Sequence, residues 1–232
     1  MKRILVCEDE ATIREFVVIN LKRAGYTVVD VDCGEEALKV YDTEYGNFDI
    51  VLLDIMMPGM DGFQTCKKLR ERSSTLGIIM LTARTQEMDK ISGLMIGADD
   101  YITKPFSPSE LTARVDAIYR RVCMSFAKDD RMAMIHSGPF TLNLRSRTVY
   151  KHDELIDLTQ VEFQILEYFI NNRNTALDRN SILVHIWGEG YFGDIKIVDV
   201  NIRRLRLKIE EDPSNPKYIH TVWGYGYKWE DT

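Results

Sequence analysis

The chain has no apolar run near the ~20 residues that a membrane-spanning helix requires. Its N-terminus, Met1-Lys-Arg-Ile-Leu-Val-Cys-Glu-Asp9, meets acids too soon for a secretory signal. Cysteine is scarce: Cys7, Cys33, Cys66 and Cys123 lie far apart and form no CxxC pair. Without a secretion signal they read as reduced thiols in a cytoplasm, not as disulfides or a zinc site. Positive charge is in deficit too. The formal net charge is −6, which counts against nucleic acid as a ligand of the surface as a whole. A disordered composition is missing as well, since 45% of the residues are hydrophobic and 28% charged. What remains is a globular chain of 232 residues, long enough for one large domain or two small ones.

The first 121 residues alternate two kinds of segment. Short β-branched runs occur at Ile4–Cys7, Thr27–Val31, Ile50–Leu53, Ile78–Leu81 and Tyr101–Thr103. Longer amphipathic stretches follow them, near Thr12–Arg23, Gly34–Tyr45, Phe63–Arg72, Gln86–Ile96 and Pro108–Arg121. Strands alternating with helices imply βαβ units and a parallel sheet. Thr12-Ile-Arg-Glu15 and Ser107-Pro-Ser-Glu110 fit capping boxes at two helix starts.

One stretch organises this half. Apolar residues run from Ile50 to Leu53, stop at Asp54, and lead into a loop with Pro58, Gly59 and Gly62. Such a run suits a strand buried on both faces, with Asp54 at its carboxyl end, the edge where open α/β sheets bind ligands. A single acid there is more often a loop cap. Four more polar residues, however, fall at strand ends: Glu8 and Asp9 after the first, Thr82 after the fourth, Lys104 after the fifth. Three adjacent carboxylates repel and need neutralising, which a hard cation such as Mg²⁺ does with oxygen ligands. With a lysine and a hydroxyl added, the set suits a phosphoryl group. The bland alternative is a lysine salt-bridged to acids at a sheet edge.

Glu8-Asp9, Leu53-Asp54 with Met57-Pro-Gly-Met-Asp-Gly62, Leu81-Thr82-Ala83 and Gly97-Ala-Asp-Asp-Tyr-Ile-Thr-Lys-Pro-Phe106 resemble the receiver domain of bacterial two-component response regulators. The resemblance covers the whole first half. It implies a flavodoxin-like, doubly wound (βα)5 fold with strand order 2-1-3-4-5. It implies Asp54 as phospho-acceptor and Mg²⁺ held by Glu8, Asp9, Asp54 and the backbone carbonyl of Met56. It implies Thr82 and Lys104 as phosphoryl contacts, Tyr101 as a rotamer switch and a cis Lys104–Pro105 bond. A sensor histidine kinase is the implied donor, and slow autodephosphorylation the only implied catalysis.

The resemblance also implies a two-fold dimer through the Gln86–Ile96 helix, the fifth strand and the helix after it. Lys90 would pair with Glu110, Asp99 with Arg121 and Asp100 with Arg114, around Ile91, Leu94 and Ala113. The plain reading of those charges is a solvated face, where exposed pairs contribute under ~1 kcal/mol each.

Periodicity fades from Val122 to Ser137, so residues 1–121 read as the first domain, 122–137 as a linker and 138–232 as a second domain. Phe126 and Met132 are apolar enough to pack locally within that linker. Short strands are expected at Phe140–Leu144, Thr148–Tyr150 and Leu155–Asp157. Thr159-Gln-Val-Glu162 is a capping box opening a helix, and Asp178 caps a second. A third helix spans about Ile195–Glu211, and Tyr218–Val222 with Tyr225–Trp229 flank a hairpin. On the third helix Val198, Ile202, Leu205 and Ile209 form the apolar stripe, and four bases with no acid lie within Asn201–Lys208. Arg and Asn can read guanine and adenine in a major groove, although such a helix is as often a solvated surface.

Leu158-Thr-Gln-Val-Glu-Phe163, Ile186-Trp-Gly188, Val198-Asp-Val-Asn-Ile-Arg-Arg-Leu-Arg206 and Tyr218-Ile-His-Thr-Val-Trp-Gly-Tyr-Gly-Tyr227 resemble the winged helix-turn-helix DNA-binding domain (α+β) of OmpR/PhoB-type regulators. That resemblance implies DNA contacts from Lys196, Val200, Asn201, Arg203, Arg204, Arg206 and, on the wing, Thr221. Promoter DNA, a homodimer partner and RNA polymerase are the implied partners, and the cytoplasm the implied location. Trp223 departs from the pattern, because many members carry arginine there. A neutral indole weakens a narrow-groove contact and leaves two placements, against the sugar or facing inward. The leading reading is a phosphorylation-dependent transcription regulator. The alternatives are a regulator that binds DNA constitutively and a Mg²⁺-dependent phosphatase. Against the latter, Met56 supplies no second acid two residues after Asp54.

Overall fold

The computed structural model describes residues 2–83, 96–123, 134–189, 191 and 193–231, without the side chains of 121–123. Lys90, Ile91, Leu94, Phe126, Met132 and the side chain of Arg121 therefore lie outside the described residues. The chain divides into two compact units, Met1–Val122 and Cys123–Thr232.

The first unit runs β1 (Arg3–Cys7), α1 (Ala11–Arg23), β2 (Thr27–Val31), α2 (Gly34–Thr43), β3 (Ile50–Asp54), α3 (Gly62–Arg72), β4 (Gly77–Ala83), β5 (Asp100–Lys104) and α4 (Pro108–Cys123). Its five strands form one parallel sheet in the order β2-β1-β3-β4-β5. Every residue of β3 is buried, as its unbroken apolar run demands. One core joins Ile4, Val6, Ile50, Leu52, Ile79 and Ile102 of the sheet to Val17 and Leu21 of α1 and to Leu111, Val115 and Ile118 of α4. Parallel strands all end on one edge, so Cys7, Asp54, Ala83 and Lys104 finish together there.

The start signals fare unevenly. Thr12 does not cap α1: the helix begins at Ala11, with Glu10 at the N-cap and no side-chain cap bond. Ser107 supplies half a box, accepting the Glu110 N–H at 3.1 Å, while the Glu110 carboxylate turns to Arg114. A cap not foreseen, Asp61, accepts the Gln64 N–H at 2.8 Å and fixes the start of α3. Gly62 follows it because a Cβ there would lie 2.1 Å from the Asp54 carbonyl oxygen.

The second unit opens with an antiparallel meander, β6 (Met134–Ser137), β7 (Phe140–Asn143), β8 (Thr148–Lys151) and β9 (Glu154–Ile156). Then come α5 (Gln160–Asn171), β10 (Ala176–Asp178), α6 (Arg179–Trp187), α7 (Lys196–Ile209), β11 (Ile219–Val222) and β12 (Gly226–Trp229). The last three strands pair antiparallel in the order β10-β12-β11. β6 falls inside the stretch expected to be linker. Its burial is one-sided, with only Ser137 buried, so it carries little apolar signal. Thr159 and Glu162 form the full reciprocal box at α5, and Asp178 caps α6 through the Ser181 N–H.

Candidate functional site

Five residues gather at the carboxyl edge of the parallel sheet. The Lys104 ammonium lies 2.8 Å from Asp54 Oδ1 and 2.7 Å from Glu8 Oε2, and donates to Glu8 Oε1 at 2.9 Å. One oxygen each of Glu8, Asp9 and Asp54 lies within 4.8 Å of the others. Glu8 and Asp54 are buried and Asp9 is exposed. Burial pushes the Glu8 carboxyl upward, in part against its hydrogen bond from Lys104, with the Asp54 charge adding to the rise. Burial works against the Lys104 ammonium too, yet hydrogen bonds to Asp54 and Glu8 outweigh it and raise its pKa. One cation thus serves two acids, with a third beside them. Glu8 Oε2 is buried and, despite its closeness to Lys104, has no partner in hydrogen-bonding geometry. Oxygen donors in charge excess fit a hard divalent cation.

The surroundings hold this cluster rigid. Arg14, six residues after Glu8, donates to the carbonyls of Glu8 at 2.7 Å and Asp9 at 3.2 Å. Glu35 of α2 accepts the Met60 N–H at 3.0 Å and ties down the loop after β3. Beneath the site the Cys7 thiol donates to Met57 Sδ at 3.3 Å, and burial pushes its pKa far up, so it is an inert thiol. Thr82 is buried, its hydroxyl donating to the Ala83 carbonyl at 3.2 Å. Tyr101 is buried, and Lys104–Pro105 is cis.

The second unit carries a different kind of surface. α7 buries Ile197, Val198, Ile202, Leu205 and Ile209 and exposes Lys196, Arg203 and Leu207. Arg206 is half-buried and donates to the Ile219 carbonyl at 2.6 Å and to Thr221 Oγ1 at 3.0 Å, which joins the helix to β11. Asp199 of α7 accepts from the Tyr227 hydroxyl at 2.5 Å and pairs with Arg179 at 2.7 Å.

Residues 4–116 match the family described as "Response regulator receiver domain", and residues 152–229 match "Transcriptional regulatory protein, C terminal". The chain is a two-component response regulator of the OmpR/PhoB type. It is 42% identical to the sensory transduction protein RegX3 of Mycolicibacterium smegmatis, over 99% of this chain and 100% of that protein. It is also 42% identical to the alkaline phosphatase synthesis transcriptional regulatory protein PhoP of Bacillus subtilis, over 99% and 97% of the two chains. Among solved structures, the response regulator DrrB of Thermotoga maritima, an OmpR/PhoB homologue, matches with a TM-score of 0.51 and 30% identity over 99% of both chains. A RitR mutant matches with a TM-score of 0.77 and 27% identity over the whole of both.

In this regulator the expected receiver residues Glu8, Asp9, Asp54, Thr82, Lys104 and Tyr101 all fall at the sheet edge or on its last strand. Met56 sits in the loop after β3 and is 73% exposed. The expected DNA set needs correction. Asn201 is fully buried and its amide donates back to the Ile197 carbonyl at 2.8 Å. Arg204 is buried and pairs at 2.9 Å with Glu162, which also takes Lys208 at 2.7 Å. Val200 is 8% exposed. These three belong to the broad inner face of α7, while Lys196, Arg203, Arg206 and Thr221 keep access to solvent. Trp223 does not face inward, being 90% exposed.

Of the charges expected across a dimer, Asp99, Asp100, Glu110 and Arg114 are engaged within the chain. Asp99 is buried, 2.5 Å from Arg70, and accepts the Ile78 N–H at 2.8 Å. Arg114 pairs with Asp100 at 3.1 Å and Glu110 at 3.0 Å. Ala113 is exposed on α4. Sequence reasoning missed Arg14, Glu35 and Arg70, whose main partners are backbone groups or loops that no periodicity marks.

Proposed function

We propose that Asp54 accepts a phosphoryl group from a phosphohistidine of a sensor histidine kinase and that the aspartyl phosphate drives DNA binding by the second unit. The observation that carries this reading is the Lys104 ammonium shared between Glu8 and Asp54, with Asp9 beside them. A carboxylate oxygen of Asp54 forms the new P–O bond as the N–P bond breaks, and the departing imidazole nitrogen keeps its electron pair and is reprotonated from water. Lys104 faces the charge on the transferring oxygens, Thr82 turns its hydroxyl from the Ala83 carbonyl to a phosphoryl oxygen, and burial keeps bulk water out. Glu8, Asp9, Asp54 and the Met56 carbonyl are the groups that would hold Mg²⁺, which supplies counter-charge when bound. Hydrolysis of the acyl phosphate in the same site ends the signal slowly, so the protein is a phospho-acceptor, not an enzyme with turnover.

The output is promoter DNA met by Lys196, Arg203, Arg206 and Thr221, with RNA polymerase as the onward partner in the cytoplasm. None of the described helices is long and apolar enough to cross a membrane. Phosphorylation promotes a homodimer through α4, β5 and the 84–95 stretch. For Asp100 and Arg114 this means exchanging intrachain partners for the same groups on a second copy. Labelling with acetyl phosphate tests the core of the reading. Lasting label on the wild type and none on Asp54→Ala supports it; label surviving in Asp54→Ala overturns it. Sedimentation with and without beryllofluoride tests the dimer, and an unchanged monomer removes that step.

A further inference from the structure

Glu8 and Asp9 lie between the end of β1 at Cys7 and the start of α1 at Ala11. A short loop of this kind is commonly fixed by a capped helix start. α1 has no side-chain cap bond and no acid in its first turn. Arg14 takes that place. Half-buried, it donates from Nη1 to the Glu8 carbonyl at 2.7 Å and to the Asp9 carbonyl at 3.2 Å. Its Nε lies 3.5 Å from Asp30 Oδ2 on β2. The Glu8 N–H donates to the Val31 carbonyl, also on β2, at 3.2 Å. The loop is thus tied to the neighbouring strand on both sides of Glu8.

We propose that Arg14 is a positioning residue that makes the acid cluster selective for Mg²⁺ over Ca²⁺. The inference rests on the reading of Glu8, Asp9 and Asp54 as a cation site and adds what gives that site its ion preference. Arg14 meets Glu8 and Asp9 through their main-chain carbonyls, and its carboxylate partner is the exposed Asp30. A carbonyl engaged by a guanidinium does not swing toward a cation, so the loop offers its side-chain oxygens instead. Fixing the peptide planes at Glu8 and Asp9 also fixes the directions in which both carboxylates leave the chain. Mg²⁺ demands near-octahedral oxygens at ~2.0–2.1 Å, whereas Ca²⁺ accepts longer contacts of ~2.3–2.6 Å in flexible arrangements. A rigid loop favours the stricter ion. A loosened loop adapts to the larger one.

Charge and geometry pull in opposite directions here, which makes the role separable. The guanidinium is a positive charge close behind the acids, so on charge alone its removal strengthens the binding of any cation. On geometry its removal weakens the binding of Mg²⁺, because groups that orient metal ligands typically change affinity by roughly 10- to 100-fold.

The test is a titration of the full chain with MgCl₂ and, separately, with CaCl₂, read from backbone amide shifts by NMR. Arg14→Gln should weaken Mg²⁺ binding roughly 10- to 100-fold and Ca²⁺ binding by a smaller factor, so that the preference for Mg²⁺ shrinks. Arg14→Lys keeps the charge, but one nitrogen cannot stand at both the Nη1 and the Nε positions, so its Mg²⁺ affinity should fall between the two. The lysine variant also carries the test if the glutamine variant loses its amide dispersion. Both variants binding Mg²⁺ as tightly as the wild type, or more tightly, would overturn the positioning role and leave the cation site standing. Equal losses for the two ions would overturn the selectivity. If the wild type shows no Mg²⁺-dependent shifts at Glu8, Asp9 and Asp54, the cation site itself fails and Arg14 has nothing to position.

Discussion

Arg204 and Glu162 face each other at 2.9 Å inside the second unit, 5% and 0% exposed. A basic residue on the expected reading helix is thus a structural cation, and it separates two variants that look alike in sequence. Breaking a buried ion pair costs about 3–5 kcal/mol, and Arg204→Ala falls at the lower end because Glu162 keeps Lys208 at 2.7 Å. Arg204→Ala should lower the thermal midpoint sharply. Arg203→Ala, at an exposed position, should leave the midpoint unchanged and flatten the salt dependence of DNA binding. Calorimetry alongside a salt titration distinguishes the two, and equal midpoints would count against the pair.

The same carboxylate predicts an acid limit. Burial works to raise the Glu162 pKa, but the charges of Arg204 and Lys208 overcome it and hold it below the ordinary value. A group depressed in the folded state adds stability that is complete above its unfolded pKa of about 4.3 and is lost as pH falls through the folded value. The urea midpoint should therefore drop as pH is taken below about 4. Glu162→Gln should flatten that limb; an identical slope in the variant would point to other carboxylates.

How much was legible in the sequence divides along the same line. Asp54, Glu8 and Lys104 could be placed because each closes a strand whose apolar run is local, and a parallel sheet brings such ends together without further information. Asn201 and Arg204 were misplaced because what buries them is remote: Glu162 lies on another helix and reads locally as only half of a capping box. Periodicity gave four apolar positions on α7, whereas the buried face is wider and takes in these polar flanks. β6 escaped notice because an edge strand with one buried residue looks like a linker.

Lys104→Gln should remove the only ammonium shared by Glu8 and Asp54 among the described residues. Losing one preorganised cation from a charge-transfer site costs roughly 10²–10³ in rate. The rate of labelling by acetyl phosphate should fall by that factor while the circular dichroism spectrum is kept. An undiminished rate would show that Lys104 plays no part in phosphoryl transfer.

Gly62→Ala tests the loop that follows the acceptor. The added Cβ would meet the Asp54 carbonyl oxygen at 2.1 Å and its carbon at 2.9 Å, and backbone cannot step aside as a flexible side chain can. Overpacking of this kind costs about 1–3 kcal/mol. Denaturant melts should show the loss, and the labelling rate should fall with it because the strain bears directly on the acceptor residue. A variant as stable as the wild type would mean that the loop relaxes freely.

Glu162 completes the cap of α5, and it neutralises Arg204 and Lys208 of α7. A residue with three simultaneous duties restricts how a lineage can drift. Replacing it in one step exposes an amide and strands a buried guanidinium together, so positions 162 and 204 should change jointly or not at all. The exposed positions 203 and 223 carry no comparable buried charge. Substitutions at such exposed positions can therefore accumulate in a lineage while the framework beneath them stays the same.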